Sequence, residues 1–193
     1  MTPYLEEAPQ SWKKRLVLSA VPKDGAPYEE SLSVRADRPV SYWDQIYTLL
    51  SDPLVQVEAC RLEGRVIVVV ALRTEVGVAC ARCLEPARAG VEGEMRYIFS
   101  LRRDERRQEA EEGPDGEEEM IILDSWEDEI DLRQLIWEVL ITSLPGAVLC
   151  SDDCRGLCPQ CGADLNEGPC GCGKESRDPR FDVLKNFMED NGK

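Results

Sequence analysis

Nine cysteines and no histidine define the chemistry this chain can host. Cys158 and Cys161 lie in the run Cys158-Pro159-Gln160-Cys161-Gly162. Two residues between thiolates let both sulfurs reach one ion while turn amides donate to them, and Gly162 relieves crowding where the backbone doubles back. Cys170-Gly171-Cys172 offers a second local pair, reached through the polar, turn-prone link Asp164, Asn166 and Glu167-Gly168. We therefore expect Cys158, Cys161, Cys170 and Cys172 to surround one tetrahedral zinc ion. Cys80 and Cys83 form another Cys-x-x-Cys far away in the chain. Alone, that pair also admits a thioredoxin-like redox reading, or two buried small side chains. Redox chemistry wants a strand-to-helix setting that depresses a thiol pKa, and the flanks here read strand-turn-strand. The adopted reading joins Cys80 and Cys83 to Cys150 and Cys154 in a second four-thiolate site. Bringing Cys83 to Cys150 costs about 3–4 kcal/mol of loop-closure entropy. Structural zinc contributes roughly 10–16 kcal/mol, so the separation is no obstacle. Four sulfur ligands leave no position for an activated water, so such sites fold a chain and do not catalyse. Cys60 is left over and is expected as a core thiol on a strand.

The rest of the composition narrows the field. Without histidine, no Ser-His-Asp or Cys-His nucleophile system and no His-rich catalytic metal site can be assembled. Apolar residues make up 42% of the chain, enough to bury a core. The opening residues, MTPYLEEAPQSW, lack the pattern of a secretory signal, and no run of about 18 apolar residues exists to span a membrane. A cytoplasmic location follows as the expectation, with reduced cysteines that hold metal instead of forming disulfides. The net charge of −15 is unevenly spread. Residues 61–107 carry ten arginines against seven acids, whereas residues 108–149 carry one arginine against thirteen. Arg102, Arg103, Arg106 and Arg107 could supply a phosphate-facing surface, although the molecule as a whole repels nucleic acid.

These sites need elements to position them. LVQVEACRL and RVIVVVALRTEVGVA read as strands joined by a tight hairpin at Glu63-Gly64, the second resembling a central strand buried on both faces or nearly so. VEGEMRYIFSLRR continues an antiparallel meander with Cys80 and Cys83 at one end, and EEMIILD is a candidate further strand. Lys14 to Val21 is expected as an edge strand, and VPKDGAPYEE as turn and loop. Ser41 with Asp44 resembles a capping box, which predicts a short helix presenting Trp43, Ile46, Tyr47 and Leu50 and ending near Asp52-Pro53. Residues 104–119 are charge-dense and are expected as an acidic loop. Asp131 caps the best helical pattern, with Leu132, Leu135, Ile136, Val139 and Leu140 on one stripe and Pro145-Gly146 as the stop. Asp178-Pro179 starts a terminal helix carrying Phe181, Leu184, Phe187 and Met188. The expected class is α+β: a weakly patterned segment over 1–53, an antiparallel sheet with a packed amphipathic helix over 54–149, and a zinc-knuckle with a terminal helix over 150–193.

The residues CARCLEP, an Ile-Asp-Leu helix ending in Leu-Pro, Cys-x3-Cys followed by RGLCPQCGADLN, Cys-x-Cys and DPRFDVL resemble the YceD family, the large ribosomal RNA subunit accumulation proteins. The likeness runs from Val55 to Met188. It implies a role in synthesis, processing or stability of large-subunit ribosomal RNA in bacteria, with plastid relatives and no known catalytic residue. Some members keep the CxRC element without the GLCPxCG block, which fits two separable sites. The expectation is a non-enzymatic accessory factor partnered by ribosomal RNA or ribosomal assembly proteins, with no membrane and no small-molecule substrate. The competing readings are a zinc-stabilised protein-interaction module without RNA contact and, less favoured, a thiol oxidoreductase using Cys80 and Cys83.

Overall fold

A computed structural model describes residues 3–101, 120–126 and 129–172. Its centre is a pair of long strands whose side chains are buried at alternate residues over most of their length. In β6 (Arg65–Ala79), Val66, Val68, Val70, Leu72, Val76 and Val78 all fall on one buried face. A side chain points to alternate faces at each residue, so this one parity is enough to commit the strand to a core. Along one edge β6 pairs antiparallel with β7 (Pro86–Leu101) over its whole length, from Val66↔Phe99 to Ala79↔Pro86. Along the other edge two shorter strands follow one another. The first is β5 (Leu54–Leu62), paired from Leu54↔Arg73 to Leu62↔Arg65. The second is β4 (Gln45–Leu49), paired at Thr48↔Gly77 and Leu49↔Val76. The outer strands are β2 (Tyr28–Ser33), against β5, and β3 (Val40–Tyr42), against β4. On the far side, β8 (Met120–Leu123) pairs with β7 in parallel, so the sheet is mixed and not a pure antiparallel meander. A separate two-stranded sheet joins β1 (Arg15–Val17) to β9 (Glu129–Asp131).

The one α-helix among the described residues, α1 (Leu132–Ser143), lies on the buried face of β6 and β7. The carboxylate of Asp131 accepts the Arg133 N–H at 3.1 Å, which satisfies one of the free amides of the first turn. Leu132, Leu135, Ile136, Val139 and Leu140 are buried as the stripe requires, and Trp137 joins them against Trp12 at 6.0 Å between ring centroids. Gly93 of β7 sets how close the helix can come. A Cβ there would lie 2.8 Å from the Ser143 Cβ and 3.3 Å from Val139 Cγ1. The weakly patterned first fifty residues contribute Trp12, Leu16, Leu18, Val21 and Val40 to the same core.

Three expectations need correction. Residues 41–50 form no helix: β3 and β4 make a hairpin with Tyr42 opposite Gln45. The two loop residues, Trp43 and Asp44, have φ of 47° and 59°, the left-handed pair that a two-residue hairpin turn needs. Apolar residues at 43, 46, 47 and 50 satisfy a helical period over two turns. Val40 and Tyr47, buried partners across the hairpin, satisfy the strand period and win through pairing to β6. The stretch read as loop ends early, because Tyr28, Glu29 and Glu30 already belong to β2. Ile67, Val69 and Ala71 are only half-buried, so β6 is covered fully on one face alone. The acidic loop 104–119 and the terminal helix starting at Asp178 lie outside the described residues.

Candidate metal centres

The loop Cys80–Glu85 connects β6 to β7, and its backbone closes on itself. The Cys80 N–H donates to the Glu85 carbonyl at 2.8 Å, and the Leu84 N–H to the Cys80 carbonyl at 3.0 Å. The same two bonds recur in the run Cys158–Ala163. There the Cys158 N–H reaches the Ala163 carbonyl at 2.8 Å, and the Gly162 N–H reaches the Cys158 carbonyl at 2.9 Å. The residue after the second cysteine is left-handed in both, Gly162 at φ 73° and Leu84 at φ 66°. These are two copies of one knuckle, differing in the side chain at the strained position. In each, an N–H within the turn is aimed at the first sulfur; the Arg82 N–H lies 3.5 Å from the Cys80 Sγ.

Each knuckle meets a second pair of cysteines. The Cys83 and Cys150 sulfurs are 3.5 Å apart, and those of Cys80 and Cys154 are 3.7 Å apart. Cys80, Cys83, Cys150 and Cys154 form one set whose sulfurs all lie within 4.8 Å of one another; Cys158, Cys161, Cys170 and Cys172 form another. Sulfurs bonded at about 2.3 Å to one tetrahedral ion stand about 3.8 Å apart, whereas a disulfide needs about 2.05 Å. The measured separations fit a shared cation, and all nine cysteines are free thiols.

The electrostatics point the same way. The Cys83 N–H, followed by those of Arg82 and Cys150, holds the Cys80 thiol down at about 6 against the opposing effect of burial. The Cys161 and Gln160 amides lower Cys158 to about 6 in the same manner. The neighbouring Cys161 sulfur, with burial, pushes Cys172 up to about 12. At Cys83 the Glu85 amide lowers the pKa, but burial and the sulfurs of Cys150, Cys80 and Cys154 outweigh it and raise the thiol to about 12. At Cys150, Cys83 lowers the pKa, and Cys154, burial and Cys80 together outweigh it, leaving a net rise. Each site thus tolerates one thiolate readily, and further negative charge is disfavoured by the sulfurs already there. A divalent cation removes that penalty, and the all-sulfur donor set suits a borderline or soft ion. Either group could hold a metal ion.

Several residues that sequence reasoning passed over join the two sites. The Ala81 N–H donates to the Val148 carbonyl at 2.8 Å and the Leu157 N–H to the Arg82 carbonyl at 3.1 Å. The Arg82 guanidinium donates to the Cys154 carbonyl at 2.7 Å. The Asn166 carboxamide accepts the Arg155 N–H at 2.7 Å while its nitrogen lies 3.6 Å from the Cys154 sulfur. Asn166, from the second knuckle, therefore supports a ligand of the first site. Gly156 has φ 72°, and a Cβ there would lie 3.0 Å from both the Cβ and the carbonyl oxygen of Arg82. Arg82 lies in the CARC turn and Gly156 and Asn166 in the 155–166 motif, and spacing alone does not say what they touch.

Cys60 corrects another expectation. It is one residue out of parity with Val55, Val57 and Ala59 and so points to the opposite face of β5, where it is half-buried and outside the core. Arg102, Arg103, Arg106 and Arg107 lie outside the described residues. Of the other arginines in the basic stretch, Arg61 donates to the Leu18 and Val21 carbonyls and lies 4.9 Å over the Trp126 ring. Arg73 and Arg88 pair across strands with Glu92 and Glu75. Arg61 is thus engaged within the fold, whereas Arg73 and Arg88 form exposed surface pairs.

Among the described residues, no helix is long and apolar enough to cross a membrane. The model of the family described as large ribosomal RNA subunit accumulation protein YceD matches residues 68–188. An uncharacterized protein of Mycobacterium tuberculosis is 35% identical over 109 residues, covering 56% of this chain and 49% of that one. Large ribosomal RNA subunit accumulation protein YCED homolog 1, chloroplastic, of Arabidopsis thaliana is 26% identical over 164 residues, covering 72% and 47%. Its namesake in Zea mays is 27% identical over 144 residues, covering 62% and 48%. The chain spans about half the length of the curated relatives it matches. No solved structure matches it.

Proposed function

The chain belongs to the YceD family, and from that premise we propose that it is a non-enzymatic, zinc-binding accessory factor for the synthesis, processing or stability of large-subunit ribosomal RNA. It works in the bacterial cytoplasm with ribosomal RNA or ribosomal assembly proteins as partners. The observation that carries the chemical half of this reading is the gathering of eight cysteines into two closed four-sulfur sets. Zinc, when bound, supplies a cross-link without an open coordination position. Cys80 and Cys83 then tie the tip of the β6–β7 hairpin to Cys150 and Cys154, and Cys158, Cys161, Cys170 and Cys172 shape the adjoining lobe. Burial of Cys80, Cys83, Cys154 and Cys158 supports a structural role over thiol exchange, which requires an accessible thiolate.

Metal content and rRNA level test the two halves separately. Purified protein is expected to carry about two zinc equivalents, one lost from Cys83→Ser and the other from Cys161→Ser. Depletion in the host is expected to lower large-subunit rRNA relative to small-subunit rRNA, with rescue by the wild-type gene. Protein without metal under reducing conditions removes the zinc sites; unchanged rRNA on depletion removes the biological role.

A protein-mediated route is favoured by one observation, the net charge of −15. Direct contact through Arg102, Arg103, Arg106 and Arg107 predicts RNA affinity that falls steeply with salt and drops when those four are replaced. Retention of ribosomal proteins after nuclease treatment favours the alternative, an interaction module without direct RNA contact.

A further inference from the structure

Two turns at the cysteine end of the sheet expose large apolar side chains on backbone that such residues rarely adopt. Trp43 is 79% exposed at φ 47°, and Leu84 is 67% exposed at φ 66°. The second knuckle shows what local stability alone selects at the equivalent of Leu84: glycine, at Gly162. An asparagine or a glycine would likewise suit the Trp43 position in a two-residue hairpin turn. Neither side chain is explained by folding, since exposure gains little from burial and the left-handed backbone works against both. The Trp43 ring lies against Tyr42, 5.4 Å between centroids and 14° from parallel, which gives the exposed indole a fixed base.

The two turns share one end of the molecule. Continuing the register Thr48↔Gly77 carries the β3–β4 turn past Ala79, towards the Cys80–Glu85 loop. Side chains of β4 are fastened to the segment leading into Cys150, Gln45 to the Gly146 carbonyl and Tyr47 to that of Pro145, both at 2.8 Å. The Ala81–Val148 bond then ties the same segment to the knuckle. Asp44 and Glu85 are exposed beside the two apolar residues, with Asp152 and Asp153 exposed between Cys150 and Cys154. Two exposed cations stand among them, Arg82, whose guanidinium donates to the Cys154 carbonyl, and Arg155, and the four carboxylates outnumber them. An acidic rim repels phosphate, and an aliphatic Leu84 cannot stack a base as an aromatic ring does.

We propose that the end of the sheet that exposes the strained Trp43 and Leu84, together with the carboxylates of Asp44, Glu85, Asp152 and Asp153, is a docking surface for a basic polypeptide segment with an apolar anchor. It deepens the protein-mediated route above and rests on the family's link to large-subunit rRNA. The peptide's apolar side chain meets Trp43 and Leu84, and its lysines or arginines meet the carboxylates.

The test uses the full, zinc-loaded chain and a set of synthetic peptides tiling the large-subunit ribosomal proteins, with mixed-sequence single-stranded RNA 20-mers as the comparison. Trp43 is the exposed indole, whereas Trp12 and Trp137 are buried and Trp126 is half-buried under Arg61, so the part of the acrylamide quenching that Trp43→Asn removes reads its occupancy. A subset of basic peptides should protect the indole, and salt should weaken the binding. Leu84→Gly should raise thermal stability while lowering affinity for those peptides about tenfold, read by anisotropy of labelled peptide. Trp43→Asn should keep the fold and lower affinity similarly. A purely structural role predicts the opposite stability change for Leu84→Gly. Unchanged affinity in both variants, or protection by RNA and not by peptides, overturns the proposal. If the variants lose peptide binding yet fully restore rRNA in depleted cells, the docking role fails and the family reading survives. If depletion leaves rRNA unaltered while peptides still bind at Trp43 and Leu84, the family reading fails instead.

Discussion

Replacing Gly156 and Gly162 separately by alanine isolates the close approach that couples the two sulfur sites. The two glycines share a left-handed backbone, φ 72° and 73°. Each alanine therefore meets the same conformational penalty, about 1–2 kcal/mol for an L-residue. They differ in the space around them. Nothing lies within 4 Å of a Cβ at 162, whereas a Cβ at 156 meets Arg82 at 3.0 Å on both its Cβ and its carbonyl oxygen. The carbonyl cannot retreat freely, because it accepts the Leu157 N–H at 3.1 Å. Overpacking of this kind adds about 1–3 kcal/mol. Gly156→Ala should then cost about 2–5 kcal/mol against about 1–2 for Gly162→Ala. In a chain of this size 1 kcal/mol moves the melting temperature by about 2–4 °C. Melting in excess buffered zinc should show a fall of about 2–8 °C for Gly162→Ala and about 4–20 °C for Gly156→Ala. Equal shifts, or a larger one at 162, would refute the claim that Arg82 packs against residue 156 to join the sites.

Zinc affinity should rise with pH. Cys83 at about 12 and Cys150, also raised, are neutral thiols near pH 7 and must each release a proton to bind metal, so affinity at that site rises by at least about two decades per pH unit. Below about 6, Cys80 and Cys158 protonate as well and the dependence steepens; chelator competition from pH 5 to 8 reads this, and a flat profile contradicts it. Gly93→Val should destabilise by about 1–3 kcal/mol in denaturant titration, because the new side chain collides with Ser143 and Val139 and lifts α1 from β7. Asp131→Ala should cost about 0.5–2 kcal/mol through loss of the cap on the Arg133 amide, with amide exchange rising first at the start of α1.

Short-range patterns were readable wherever one period dominated. β5 and β6 run over the residues read as strands, and the Glu63-Gly64 turn joins Leu62 to Arg65 in register. The helix after Asp131 was equally plain, because its stripe spans three turns and its cap and stop are local. Residues 41–50 misled because two turns of helix and a short hairpin use the same few apolar positions. Trp43 and Asp44 also hide a left-handed turn that Asn-Gly would announce. Cys60 misled by one residue of parity, which carries a side chain through the sheet.

By its own spacing, the chain determined that its cysteines come in knuckles, that a sheet and one capped helix carry them, and that histidine chemistry is excluded. Those properties depend on neighbours within a few residues, where backbone geometry leaves few options. The grouping of Cys80 and Cys83 with Cys150 and Cys154 was expected from the sequence; tertiary structure decided that Cys83 faces Cys150 and Cys80 faces Cys154, that β8 runs parallel to β7, and that Arg82, Gly156 and Asn166 link the two sites. Contacts of that kind arise from pairing between distant segments, and the types of the residues do not encode where their partners lie.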